Sequence, residues 1–239
     1  MYRFGVEIEV CSMDLEAFKR YFHCPYTDCL ITSFEECTIE GYVFPNGQKR
    51  HIPGCIGCKS DMQNYFHIIR DYGDPLLIEI VTPVLEGSKD FRLLHHVCDC
   101  LLCANAKTDN RCGLHIHVDA NLMSLNQIIS IVSEYQKLED VIDRRMTPAR
   151  RGKQCKYAKG LGEYDFEHIN TLEQLLSLMS DRNSKVNVQS LRKYGTLEFR
   201  QHHGSVCYDE IRSWIFFIMS LCERMADGGD NTRKLLKMM

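Results

Sequence analysis

Three stretches of the chain alternate apolar and polar positions at the period of a strand. In residues 2–11, Tyr2, Phe4, Val6, Ile8 and Val10 fall on one face, and Glu7 and Glu9 share the other. Residues 112–119 repeat the pattern, with Leu114, Ile116 and Val118 on one side and His115, His117 and Asp119 on the other. Residues 195–203 place Leu197, Phe199 and Gln201 on one face and Thr196, Glu198, Arg200 and His202 on the opposite one. Leu76–Val81 reads as a fourth strand, an apolar run around the single acid Glu79, which Thr82-Pro83 ends.

Between these strands the apolar period changes to that of a helix. Ser12 is placed to cap a short helix with Leu15, Phe18 and Phe22. Ser88 is placed to cap a longer one to about Ala106, with a stripe of Phe91, Leu94, Val97, Cys98, Leu101 and Leu102. Ser124 with Gln127 makes a capping box for a helix to about Arg145, and Pro148 stops it. Thr171 with Gln174 opens a shorter helix through about Ser180. Asp209 heads the last one, in which Ile211, Trp214, Ile215, Ile218 and Cys222 line the buried side. Val186–Leu191 leads into the strand at 195–203, and Gln63–Arg70 reads as a strand before the turn at 71–75. Segments 38–44 and 48–52 flank Pro45-Asn46-Gly47, a hairpin signal. The pattern predicts a single α+β domain with a mainly antiparallel sheet.

Composition narrows the function. A net charge of −3 with one local basic cluster, Arg144, Arg145, Arg150 and Arg151, lacks the broad basic footprint of a general nucleic-acid binder and suits a local anion pocket. No apolar run approaches a bilayer span, and no targeting segment precedes the first strand. Thirteen cysteines, an odd number, point to free thiols in a reducing, cytoplasmic setting. Cys24–Asp61 is rich in Cys, Pro and Gly. Within it, Cys24 with Cys29 and Cys55 with Cys58 are candidate knuckle pairs for one structural Zn²⁺, although the first gap is wide; buried thiols are the alternative.

The polar strand faces carry the chemistry. Glu7 and Glu9 are like charges at neighbouring positions on one face, which a purely structural strand gains nothing from and a cation relieves. Glu79 is a carboxylate in an apolar strand and needs a partner. With His115, His117 and Glu198 they form a donor set rich in oxygen, which favours Mg²⁺ or Mn²⁺ over a catalytic zinc. Two such ions with nearby arginines suit phosphoryl transfer, where positioning and charge neutralisation supply most of the catalysis. There is no Walker loop and no GxGxxG.

Phe4-Gly5-Val6-Glu7-Ile8-Glu9, Glu79-Ile80-Val81-Thr82-Pro83, Cys112-Gly113-Leu114-His115-Ile116-His117-Val118-Asp119 and Tyr194-Gly195-Thr196-Leu197-Glu198-Phe199-Arg200 follow one another in this order. Together they resemble the motifs of the amidoligase family, which is similar in its catalytic core to glutamine synthetase and glutamate–cysteine ligase. The resemblance runs from residue 1 to about 222, and the Cys24–Asp61 segment matches nothing in it and reads as an insertion. It implies a sheet curved around ATP and the ATP-dependent joining of a small-molecule or peptide carboxylate to an amine through an acyl phosphate. By the same resemblance Glu7 and Glu9 each serve one metal site, Glu79 joins one of them, and His115 and Glu198 join the other. His117 lies near the phosphates, Arg200 holds the substrate carboxylate or the transferring phosphoryl group, and Arg150 and Arg151 contact phosphate. Two further readings stand beside the ligase. One is a phosphotransferase or metal-dependent amide hydrolase on the same scaffold. The other is a non-catalytic nucleotide- or metal-binding protein, against which the joint presence of all these residues weighs.

Overall fold

The computed structural model describes residues 2–22, 37–38, 41–43, 49–50, 67–70 and 76–226. Cys24, Cys29, Cys55, Cys58 and the turn Pro45-Asn46-Gly47 lie outside them. The chain is α+β and its contacts divide it into two compact units. One contains Arg3–Leu114 and Gly204–Ile211; the other is built on His115–His203 and the chain from Arg212.

In the first unit, strand β1 (Phe4–Val10) pairs antiparallel with β6 (Ile78–Val81), and β6 pairs antiparallel with β5 (His67–Arg70). Short strands β2 (Cys37–Thr38), β3 (Gly41–Val43) and β4 (Lys49–Arg50) extend the order to β4-β3-β2-β5-β6-β1. β3 and β4 are antiparallel, as the hairpin signal predicts, and β2 joins β5 in parallel. Phe4, Val6, Ile8 and Val10 are buried, which fixes the register of β1, since a one-residue slip would turn the glutamates into the core. Helix α1 (Leu15–Tyr21) and helix α2 (Gly87–Cys103) pack together, and Phe22 stacks on His96 at 5.7 Å.

Two caps differ from the sequence reading. Ser12 does not cap α1: its carbonyl accepts from the Lys107 N–H, so it is held in a strand-like bridge. Asp14 is the cap, accepting from Ala17 N at 2.9 Å. Nor does Ser88 cap α2, which begins one residue earlier; there Asp90 reaches back to accept from Glu86 N at 2.6 Å. At α1 Asp14 takes the place of the expected serine; at α2 no side chain caps the helix, and Asp90 in its first turn satisfies the N–H of Glu86 instead.

The second unit contains His115–Asp119 of β7 (Gly113–Asp119), followed by α3 (Leu125–Asp143), α4 (Leu172–Leu178), β8 (Val186–Asn187), α5 (Ser190–Tyr194) and β9 (Thr196–His203). The strand order here is β7-β9-β8. Both predicted capping boxes form, at Ser124/Gln127 and at Thr171/Gln174. Ile128, Ile131, Val132, Tyr135, Leu138 and Ile142 make the buried face of α3, each worth about 2 kcal/mol of gross transfer free energy. The segment read as leading straight into β9 instead contains α5, whose five residues are too few to show a helical period. Helix α6 (Tyr208–Ala226) begins one residue before Asp209, which therefore lies in its first turn rather than at the cap. Among the described residues no helix is long and apolar enough to cross a membrane.

Candidate functional site

Glu198 is the centre of the second unit's polar face. α5 ends at Gly195 with φ +69°, and a Cβ there would meet Asn121 Oδ1 at 2.2 Å, so only glycine allows the turn that launches β9. From that turn Thr196, Glu198 and Arg200 project to one side, while Leu197, Phe199 and Gln201 are buried on the other. Asn187 sits directly across from Glu198 in the β8–β9 register and donates Nδ2 to Glu198 Oε2 at 2.6 Å. The other carboxylate oxygen, Oε1, gathers three nitrogen groups. Arg200 Nη1 donates to it, His115 Nδ1 lies 3.7 Å away, and His117 Nε2 lies 3.9 Å away.

The distances from the histidines are too long for hydrogen bonds. They suit two donors sharing one cation, each about 2.1 Å from it. His117 is steered into place through its other nitrogen, which lies 2.9 Å from Thr196 Oγ1 and 3.3 Å from Ser190 Oγ. Such outer partners fix the orientation of an imidazole ligand. Glu198 is only 5% exposed and His115 only 2%, so a charge here is poorly screened by water. The donor chemistry of Glu198 and His115, a carboxylate and an imidazole, fits a divalent cation, with His117 near the same oxygen.

In the first unit the β1–β6 register places Glu9 directly opposite Glu79, with Glu7 two residues along the same face. Glu9 is 7% exposed and accepts from the Gly113 N–H at 2.5 Å. Two carboxylates opposed across a strand pair repel. The register thus sets two acids, Glu9 and Glu79, against one another, an arrangement that a shared cation would relieve.

The arginine pair follows α3. Arg150 ends a short 3-10 turn and is only 1% exposed, with its guanidinium carbon 5.2 Å from the centre of the Tyr157 ring. Arg151 donates Nε to the Met146 carbonyl at 2.6 Å and reaches the Arg144 carbonyl at 3.5 Å. In this arrangement both brace the loop after α3.

Sequence reasoning missed Asn187 and Ser190 as partners of the site. The alternation Val186-Asn187-Val188 was the available signal for Asn187; nothing in the sequence pointed to Ser190. It also missed the buried Lys185, whose Nζ donates to Glu139 Oε1 at 2.8 Å and to Asp143 Oδ1 at 2.6 Å. Glu139 and Asp143 are four residues apart on α3, a spacing that puts two acids over one patch, and Glu139 falls between apolar neighbours.

Cys98 and Cys100 are buried apolar fillers on α2, whereas Cys103, read from the sequence as a filler too, is exposed. Burial pushes the Cys98 thiol up to about 12 and that of Cys100 up to about 11. Cys98, Cys100, Cys103 and Cys222 carry free thiols.

No curated protein matches the chain. The sequence model of the family described as "Putative amidoligase enzyme" matches residues 59–222. That stretch is more than half of the chain and holds Glu79, His115, His117, Arg150, Arg151, Glu198 and Arg200, while Glu7 and Glu9 precede it. The chain belongs to the amidoligase family.

Proposed function

We propose that the protein is an ATP- and Mg²⁺-dependent ligase that joins a carboxylate to an amine. Membership of the amidoligase family supports ligase activity. The observation that supports the finer reading is the Glu198 cluster: a buried carboxylate with the His115 imidazole 3.7 Å away, His117 near the same oxygen and a guanidinium on it. A site that must hold a metal beside a phosphoryl or carboxyl group needs both kinds of charge within one pocket.

By the resemblance to the family, Glu7, Glu9 and Glu79, and likewise His115 and Glu198, would be metal ligands, and Mg²⁺ or Mn²⁺ would supply charge neutralisation on the phosphates. His117 lies toward those phosphates. Arg200 would hold the carboxylate substrate or the group in transfer, and Glu198, its partner here, would be a metal ligand. The carboxylate attacks the terminal phosphorus of ATP, forming an acyl phosphate and releasing ADP; the amine then displaces inorganic phosphate and loses a proton. Arg150 and Arg151 would contact phosphate from the loop that follows α3.

The decisive experiment measures ADP release by the purified protein with Mg²⁺-ATP over panels of carboxylates and amines. Release that requires both partners supports the ligase. Release with a nitrogen acceptor alone makes it a phosphotransferase, and absence of any ATP binding rejects nucleotide chemistry altogether. Mg²⁺-ATP is also expected to raise the melting temperature, since only the native state assembles the ligands, and Glu9→Ala to abolish that rise.

A further inference from the structure

A second metal-capable group lies wholly within the first unit. Cys11 follows the end of β1, and Asp109 and Cys112 bound the turn that precedes β7. One ligand atom from each, two sulfurs and a carboxylate oxygen, lies within 4.8 Å of the other two. We propose that Cys11, Asp109 and Cys112 bind one borderline-soft divalent cation, of which Zn²⁺ is the type, as a clamp between these two segments.

The geometry suits that ion. Tetrahedral zinc holds two thiolates about 3.8 Å apart, given Zn–S bonds of about 2.3 Å. Cys112 Sγ lies 3.8 Å from Asp109 Oδ1, a spacing for two ligands of one metal rather than for a strong hydrogen bond. The turn is already shaped. Cys112 N donates to the Asp109 carbonyl at 3.1 Å, and Asp109 N donates to Cys112 Sγ at 3.5 Å. Cys112 is held from behind as well, because its carbonyl accepts from Gly204 N at 2.8 Å and a Cβ on Gly204 would meet its Cβ at 2.4 Å.

Arg111 grips Asp109 Oδ2 through Nη2 at 2.8 Å and Nε at 3.1 Å, and its backbone N–H donates to Oδ1 at 2.8 Å, which holds the carboxylate with Oδ1 beside the Cys112 sulfur. An outer partner of this kind orients a carboxylate ligand. Cys11 is fixed by its backbone, with its N–H on the Lys107 carbonyl at 2.8 Å and its Sγ 3.3 Å from the same oxygen. The charges close: two thiolates and a carboxylate balance a divalent cation and the Arg111 guanidinium. A solvent water completes the tetrahedron beside exposed Asp109. The site is a hard-soft contrast to the oxygen-rich ligand set proposed for Mg²⁺, so the two select different ions.

The test uses the full chain, reduced and stripped of metal, titrated with Co²⁺ as a coloured substitute for Zn²⁺. Sulfur-to-cobalt charge-transfer absorption with a visible tetrahedral band, displaced by Zn²⁺, is the expected signature. Cysteines of the 24–58 segment are a second source of such absorption, so the variants decide. Cys11→Ser is expected to remove one equivalent of tightly bound Co²⁺. Asp109→Asn is expected to weaken the same equivalent by roughly 10- to 100-fold. Cys55→Ser/Cys58→Ser is expected to leave it in place. Because Cys112 is buried and its replacement risks the fold, the outcome is read from Cys11→Ser and Asp109→Asn. Both titrating like the parent protein, in position and in number of equivalents, overturns the site. The outcome is independent of ligase activity, since the readout is cobalt absorption without nucleotide.

Discussion

Two charged constellations flank β9, and they solve the problem of buried charge in opposite ways. On one face Lys185, fully buried, is shared by Glu139 and Asp143. The remaining oxygens are used too: Glu139 Oε2 accepts from Leu161 N at 3.0 Å, Asp143 Oδ2 from Gly152 N at 2.8 Å, and Asp143 Oδ1 also from Gln201 Nε2 at 2.6 Å. Gln201 in turn accepts from Tyr135, whose hydroxyl burial pushes well above its ordinary pKa and so keeps as a donor. On the other face Glu198 Oε1 is crowded by a guanidinium and two imidazoles, two of the three beyond hydrogen-bonding distance. The first constellation is closed and fastens the loop of residues 150–163 to α3. The second is a set of donors around one oxygen, arranged so that its partners can exchange. Buried polarity that is fully paired rigidifies, whereas the Glu198 cluster keeps two imidazoles beyond hydrogen-bonding distance.

The difference between the faces is largest at Lys185. Lys185→Met leaves two carboxylates facing each other in the interior without their cation, and removal of one partner of a buried ion pair costs about 3–5 kcal/mol. Urea unfolding is expected to show a loss of that size. A loss below about 1 kcal/mol would mean that water replaces the ammonium and the network is not closed. Arg200→Lys, on the other face, is expected to leave the unfolding midpoint almost unchanged and to lower ADP release about 100-fold with a cognate substrate pair, as loss of one preorganised donor does. The planar fork that Arg200 presents to carboxylate or phosphate is what lysine lacks. Near-normal turnover in Arg200→Lys would remove Arg200 from the reaction and leave it as the neutraliser of Glu198.

The two faces were not equally legible in the sequence. Alternation around Glu198 and Arg200 gave the strand, its facing and the candidate ligands, because period two survives whatever packs above it. Glu7, Glu9 and Glu79 were equally visible, and only their register, Glu9 against Glu79, needed coordinates. Lys185 was invisible: a single lysine before a two-residue strand carries no period, and its partners lie 46 and 42 residues away. The cap at Asp14 shows a related limit. A serine cap and a carboxylate cap two residues on are equivalent in a pattern, and the carboxylate wins by charge, which spacing does not encode.

Gly195 separates what shapes the site from what occupies it. Gly195→Ala must take φ +69° and push into the Asn121 side chain, at a cost of about 1–3 kcal/mol. The turn it makes sets the direction of Thr196, and through Thr196 the pose of His117. The variant is therefore expected to lose both thermal stability and the stabilisation by Mg²⁺-ATP, whereas Arg200→Lys keeps both. A Gly195→Ala protein that melts lower but keeps a full shift with Mg²⁺-ATP would detach the turn from the site.

The smallest effect belongs to a pair that resembles the Lys185 network without its burial. Lys159 Nζ donates to Asp181 Oδ2 at 2.6 Å, and the two side chains are 48% and 36% exposed. The hydrogen bond from Lys159, followed by that from Asn183 N, holds the Asp181 carboxyl below the usual carboxylate range. A carboxyl whose folded pKa is depressed stabilises the fold above its unfolded pKa of about 4, and that contribution disappears as pH falls through the folded value. Solvent screening limits the pair to about 0.5 kcal/mol, against several for the buried lysine. Asp181→Asn is therefore expected to lower stability by roughly that much at pH 7 and in low salt. The gap from the parent is expected to narrow as pH drops below about 4 and when salt is raised to about 1 M, where the Debye length is only about 3 Å. Chemical unfolding of both proteins across that pH range measures it. A gap that persisted unchanged at low pH would assign the effect to the Asp181 turn, whose carbonyl accepts from Ser184 Oγ at 2.9 Å, and not to the ion pair.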